Sequence, residues 1–158
     1  LETLAACAKD GFQQVHLALS TSGGDVNQGV TLYNALRSMP FELITHNIGN
    51  VDSIGNAIYL GGKKRYANAH STFMFHSIFW SLPQPTQLQL KQAVEIAESI
   101  KRENARISSI IRDQTKLKDD EIDQLFTDGE TKNASSALES CPAEWCTSDS
   151  RRGLGLRP

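Results

Sequence analysis

Apolar positions along the chain change their period several times, and each change marks an element. Glu2 to Lys9 reads as the end of a helix, stopped by Gly11. Gln14 to Ser20 alternates and then turns apolar, the pattern of a strand with at least one buried face. After the turn Thr21-Ser22-Gly23-Gly24, Val26, Val30, Tyr33, Ala35 and Leu36 recur near helical spacing. Asp25 is placed to cap that helix, and Pro40 ends the segment. Phe41 to Asn47 predicts a second strand, and Ser53 to Leu60 a short buried helix closed by Gly61-Gly62. Lys64 to Ala67 and Ser71 to Ser77 predict two further strands. Helices alternating with strands argue an α/β layered domain with parallel pairing.

The second half changes character. Pro83 and Pro85 mark a loop. Gln87 to Gln114 then carries no Gly or Pro, and Leu90, Val94, Ala97, Ile100, Ile107 and Ile111 recur at three, four or seven residues. A helix of that length runs roughly 42 Å, more than a small domain covers, so it lies against a partner or projects. The competing possibility is that it folds back on its own sheet or breaks near Asn104. A shorter helix spans about Lys118 to Phe126, with acids at its N-terminus where the helix dipole favours them. Another starts at Ser135 to Glu139. From Ser140 to Pro158 the periodicity stops, and this segment reads as an irregular, disordered or non-native tail behind a single domain, 1–139.

Composition narrows the class. The 158 residues are 39% hydrophobic and 22% charged, which suits a packed core rather than a disordered chain. Sixteen basic against eighteen acidic residues leave a net charge of −2, without the basic excess of a nucleic-acid binder. No apolar run approaches the ~18 residues of a membrane span, and the first ten residues lack a signal-peptide pattern. Three cysteines make no disulfide framework, so a cytoplasmic location is expected.

Three local signals carry candidate chemistry. Ser22-Gly23-Gly24-Asp25 lies between a strand and a helix, where backbone N–H groups can face outward beside a helix N-terminus. It is either an anion cradle, half of an oxyanion hole, or a plain turn, and no Gly-Lys-Ser/Thr follows to make it a phosphate loop. Gly49-Asn50-Val51-Asp52-Ser53-Ile54-Gly55 again joins a strand to a helix. Ser53 there is either a nucleophile with the Ile54 N–H beside its hydroxyl, or a helix cap like Asp52. His76 ends the apolar run Phe73-Met74-Phe75, where a general base is presented to a cleft and where structural histidines also sit. No histidine pair has metal-ligand spacing, so no metal is expected.

Taken together, these segments resemble the proteolytic subunit of the Clp protease (ClpP). The likeness rests on Thr21-Ser22-Gly23-Gly24, Gly49 to Gly55, Lys63-Lys64-Arg65-Tyr66-Ala67 and Phe73-Met74-Phe75-His76, and extends loosely over Leu4 to Glu139. Ser53 follows Gly24 by 29 positions, the separation that the family's geometry leads one to expect. The sequence departs from the family at Ser22 (usually Pro), Val51-Asp52 (Ala-Ala), Ala69-His70 (Pro-Asn) and Ser77 (Gln). The resemblance implies a ClpP/crotonase-like layered fold, a repeated β-β-α superhelix with a projecting handle helix that interlocks two rings and buries its far end, around Ile100 to Ile111, against a second copy. It implies Ser53 as nucleophile, His76 as general base, and the Gly24 and Ile54 N–H groups as oxyanion hole. The acid is less direct. Gly129 falls at the family's Asp position and Asp128 is its neighbour; a one-residue shift brings Asp128 onto His76, and otherwise water or a carbonyl orients the ring. Asp52 adds a carboxylate where the family has a small apolar residue.

The activity so implied is serine-type endopeptidase hydrolysis of peptides or unfolded proteins inside a stacked-ring homo-oligomer. A separate AAA+ unfoldase uses the ATP, and this chain needs no cofactor. A non-catalytic paralogue that only builds the ring is the alternative; a crotonase-type acyl-CoA enzyme is disfavoured because both Ser53 and His76 are present. By the same resemblance, the chain starts after the family's axial loop and first strands and lacks its final strand.

Overall fold

The computed structural model describes residues 1–82 and 87–134. In chain order it contains α1 (Glu2–Lys9), β1 (Gln14–Thr21), α2 (Val26–Arg37), β2 (Glu42–Asp52), α3 (Gly55–Leu60), β3 (Lys64–Ala67), β4 (Thr72–Met74), α4 (Leu90–Gln114), α5 (Asp119–Asp128) and β5 (Thr131–Asn133). The helix expected from Ser135 and the tail 140–158 lie outside the described residues.

The expected parallel α/β sheet is present, with β2 as its organising strand. Its first half pairs with β3, Ile44 opposite Lys64 to Asn47 opposite Ala67. Its second half pairs with β4, Asn50 opposite Thr72 to Asp52 opposite Met74. β1 runs parallel along its other edge. The β1–β2 register slips between Leu19 and Thr21, so four steps along β2, from Asn47 to Val51, match two steps along β1. Gly49 makes that slip possible, since a Cβ there would meet Ser20 Oγ at 2.7 Å. Asn47 bridges the switch: its Nδ2 donates to Thr72 O (2.8 Å) and its Oδ1 accepts from Gly49 N–H (3.1 Å). β2 can therefore leave β3 and take up β4 without orphaning its backbone.

The main core lies beneath this switch, where Val51, Ile54, Tyr59 and Phe73 meet Ile107, Ile111 and Ile122 from α4 and α5. Leu36, Phe41 and Leu43 form a second cluster, covered by Leu4 and Cys7 of α1. Arg65 is buried, its guanidinium donating to the carbonyls of Leu60, Gly62 and Gln114. It thus closes the C-terminal ends of α3 and α4 with one charged group, where the helix dipole favours a cation.

Several expected bounds shift. The long helix begins at Leu90 rather than Gln87 and runs unbroken to Gln114. β4 ends at Met74, so His76 lies two residues beyond the strand. Asp128, expected in a loop, is the last residue of α5. The larger correction concerns α4. Ile107, Ile110 and Ile111 are buried in this chain's own core, not left for a second copy. The uncovered apolar residues are at the other end, Leu90 (82% exposed) and Val94 (51%).

On the sheet face away from α3, His46 is 1% exposed and stacks between the rings of His16 and Tyr66, each 5.1 Å away. Its Nε2 lies 2.9 Å from His16 Nδ1. Burial, with His16 second, pushes the His46 imidazole below its ordinary value of 6.5. Between the two values the unfolded chain binds a proton that the folded one refuses. The stability is therefore full above about pH 6.5 and falls as the pH drops below it. Urea unfolding from about pH 8 to 5 is expected to show that decline, and His46→Phe to flatten it.

Candidate active site

The Ser53 backbone is the strained point of the chain. Its φ is +55°, and among the described residues it is the non-glycine residue with positive φ. A side chain in that left-handed region costs roughly 1–2 kcal/mol, so the surroundings must hold it. Ser53 N–H donates to Met74 O (2.9 Å), and the buried Asn56 donates through Nδ2 to both Ser53 O (3.0 Å) and Met74 O (2.9 Å). The turn between β2 and α3 is thereby sewn to the end of β4. Such a sharp strand-to-helix turn presents the serine hydroxyl outward, beside the first N–H groups of the helix.

Glycines let three segments converge on this turn. A Cβ at Gly23 (φ +93°) would lie 2.8 Å from Ser53 Cβ. At Gly29 of α2 it would lie 2.2 Å from Ile54 Cγ1, and at Gly55 it would lie 2.6 Å from Thr21 Cγ2. Gly29 and Asn56 were invisible as site residues in the sequence. Gly29 lies inside α2, and the close contact with Ile54 explains why no side chain stands there.

Gly24 is itself in a glycine-only conformation (φ +148°), with open space where a side chain would be. Among the described residues, neither the Gly24 N–H nor the Ile54 N–H has a partner within the chain. Both line a groove of about 650 Å³ that runs along α2 past Asn27, Leu32 and Ile58. Two unpaired N–H groups, one just before α2 and one at the start of α3, both bordering the groove, can receive a developing oxyanion. Asp25 caps α2, its carboxylate accepting from Gln28 N–H (2.8 Å). Asp52, half-buried beside the serine, accepts from Asn50 Nδ2 (2.7 Å), which also donates to Thr21 O (3.0 Å).

His76 follows the strand end to which Ser53 is bonded. Its Nδ1 is 2.7 Å from Ser77 O, and its ring lies 5.5 Å from that of Phe79. A carbonyl only accepts, so Nδ1 carries the proton and Nε2 holds the lone pair. Ser77 is held in turn, both its N–H and its hydroxyl donating to Phe126 O at 3.1 Å. Among the described residues, His76 makes no hydrogen bond with Ser53 Oγ or with Asp128. Asp128 is exposed at the end of α5, and Gly129 closes that helix with φ +60°. A left-handed C-cap is a regular use of glycine. It leaves the position that resemblance gives to the acid without a side chain.

A sequence profile of the Clp protease family matches residues 2–140. The chain belongs to that family, whose members are peptide hydrolases. The ATP-dependent Clp protease proteolytic subunit 2 of Corynebacterium efficiens is 28% identical over 136 residues, 83% of this chain and 68% of the relative. Proteolytic subunit 1 of Mycobacterium leprae is 25% identical over 143 residues, 87% of this chain and 68% of the relative. Among solved structures, an asparagine-to-aspartate mutant of ClpP1 from Listeria monocytogenes superposes with a TM-score of 0.81. It is 20% identical, and the match covers 97% of this chain and 84% of that one. The layered ClpP fold expected from the resemblance is therefore the fold of this chain. Among the described residues, no helix is long and apolar enough to cross a membrane, and no group of three His, Cys, Asp or Glu is placed to hold a metal ion.

Proposed function

We propose that this chain is the serine-type proteolytic subunit of an ATP-dependent protease. In this reading Ser53 Oγ attacks the peptide carbonyl while His76 Nε2 takes its proton. The Gly24 and Ile54 N–H groups hold the tetrahedral oxyanion, each worth about 2.7–4 kcal/mol of barrier. His76 returns the proton to the leaving amine, and a water then releases the acyl group by the same path. The observation that carries the reading is the strained Ser53 turn, packed on Gly23 and flanked by two unpaired N–H groups.

The substrate is a peptide or an unfolded protein, delivered into a ring chamber by an AAA+ unfoldase that uses the ATP. Rings of this kind need contacts between copies, and the exposed apolar residues Leu90, Val94, Phe79 and Trp80 supply an apolar surface for a second copy. A second reading, a ring-building paralogue without turnover, draws on the exposed Asp128 and the glycine at position 129. A fluorophosphonate probe separates the two. The active subunit is expected to be labelled at Ser53 alone, by peptide mass spectrometry. An unlabelled, folded chain would favour the paralogue.

A further inference from the structure

The His76 ring is oriented by a peptide group, and that group is itself oriented from another helix. The plane between Ser77 and Ile78 presents its carbonyl to His76 Nδ1 at 2.7 Å. The N–H of the same plane donates to Asn104 Oδ1 at 3.2 Å. Asn104 is half-buried on α4, one turn before the core residue Ile107. The peptide is also held on its Ser77 side by the two bonds to Phe126 O. A hydrogen bond donated by the N–H end polarises the amide and strengthens its carbonyl as an acceptor. The chain Asn104 Oδ1, Ile78 N–H, Ser77 C=O, His76 Nδ1–H thus performs the two tasks of an orienting acid: it selects the tautomer with a free Nε2 and it fixes the ring plane.

We propose that Asn104 is a positioning residue for His76, acting through the Ser77–Ile78 peptide, and that Asp128 has no part in orienting the ring. The proposal rests on the reading of Ser53 and His76 given above. An amide dipole stabilises the imidazolium less than a full carboxylate does, so this arrangement keeps the geometry of a triad at a lower turnover. Asn104→Asp keeps an acceptor oxygen toward Ile78 N–H, whereas Asn104→Ala removes it.

Two measurements test this on the full chain. The first is magic-angle-spinning nitrogen NMR of histidine-labelled protein at about pH 8, with the His76 signals identified by their loss in His76→Gln. The expected wild-type state is the Nδ1–H tautomer, retained in Asn104→Asp and Asp128→Asn and lost or mixed in Asn104→Ala. The second is hydrolysis of a fluorogenic peptide. Asn104→Ala is expected to lower kcat by about 10- to 100-fold, the scale of a misplaced group, with KM within about twofold. Asn104→Asp restores kcat, and Asp128→Asn leaves it unchanged. A wild-type Nε2–H tautomer, an unmoved tautomer in Asn104→Ala, or a loss of kcat in Asp128→Asn overturns the proposal. If hydrolysis proves independent of Ser53, the peptidase reading fails by itself, and the tautomer of His76 still decides whether Asn104 orients the ring.

Discussion

Replacing Ser53 with alanine lowers peptide hydrolysis by on the order of 10⁴- to 10⁶-fold, the loss that follows removal of an activated serine nucleophile. The fold survives the change. The bonds that hold the turn are made by the Ser53 backbone N–H and carbonyl, to Met74 and Asn56, and alanine keeps both. A half-buried hydroxyl with no such role shifts stability by less than about 1 kcal/mol. Ser53→Gly sharpens the test. It is equally inactive, yet it relieves the left-handed φ of +55° and gains roughly 1 kcal/mol of stability. Hydrolysis of a fluorogenic peptide and urea unfolding of the two variants check both halves. A Ser53→Ala protein with undiminished Ser53-independent hydrolysis would remove the serine from the chemistry. A Ser53→Gly protein less stable than wild type would mean that the turn is not strained.

The strands and helices of the first half were legible because each has its own period and its own punctuation. β1, α2 and β3 fall within a residue or two of their expected bounds, and Asp25 caps α2 as read. The switch within β2 was not legible. A strand read as ending at Asn47 continues to Asp52, because the slip at Gly49 lets it pair with a new partner, which no alternation pattern encodes. β5, three residues antiparallel to β4, is too short and too polar to leave a signal. In the proposed site, the residues with distinctive chemistry, Ser53, His76 and the glycine pair, were candidates from sequence alone. Those that act by shape or through the backbone were not. Gly29 matters because Ile54 lies against it, Asn56 because two carbonyls converge on its amide, and Asn104 because a loop crosses α4 beside it. Asp128 illustrates the converse. Adjacency in sequence to the acid's expected place made it a candidate, and it is exposed at the end of α5 with no hydrogen bond to His76 among the described residues.

The apolar stripe of α4 gives the last and largest expected effect, because a stripe tells which face is apolar and not what covers it. Ile107, Ile110 and Ile111 are covered by this chain, packed in one cluster with Val51, Ile54 and Phe73 beneath the serine turn. Aspartate at Ile107 and Ile111 places two unpaired carboxylates in that cluster. Each costs several kcal/mol, so the double variant exceeds the 5–15 kcal/mol of an ordinary domain, or comes close to it, and the chain unfolds. Leu90 and Val94 have no such cover, at 82% and 51% exposed. Aspartate at these two positions leaves the monomer's stability within about 1 kcal/mol. If a second copy covers them, the same change removes apolar area worth about 25 cal/mol per Å² from each contact and adds charge to it, and the assembly mass falls. Light scattering with circular dichroism distinguishes the two ends of the helix. The expected results are loss of helical signal for the Ile107/Ile111 pair, and a folded chain of lower mass for the Leu90/Val94 pair. A Leu90/Val94 variant that keeps its assembly mass would mean that copies meet elsewhere. The exposed end of α4 would then be an interface for nothing in the ring. If instead the mass falls and hydrolysis falls with it, assembly also orders the site. Asn104 is the physical link for that coupling, since it carries the position of α4 to the peptide on which His76 rests.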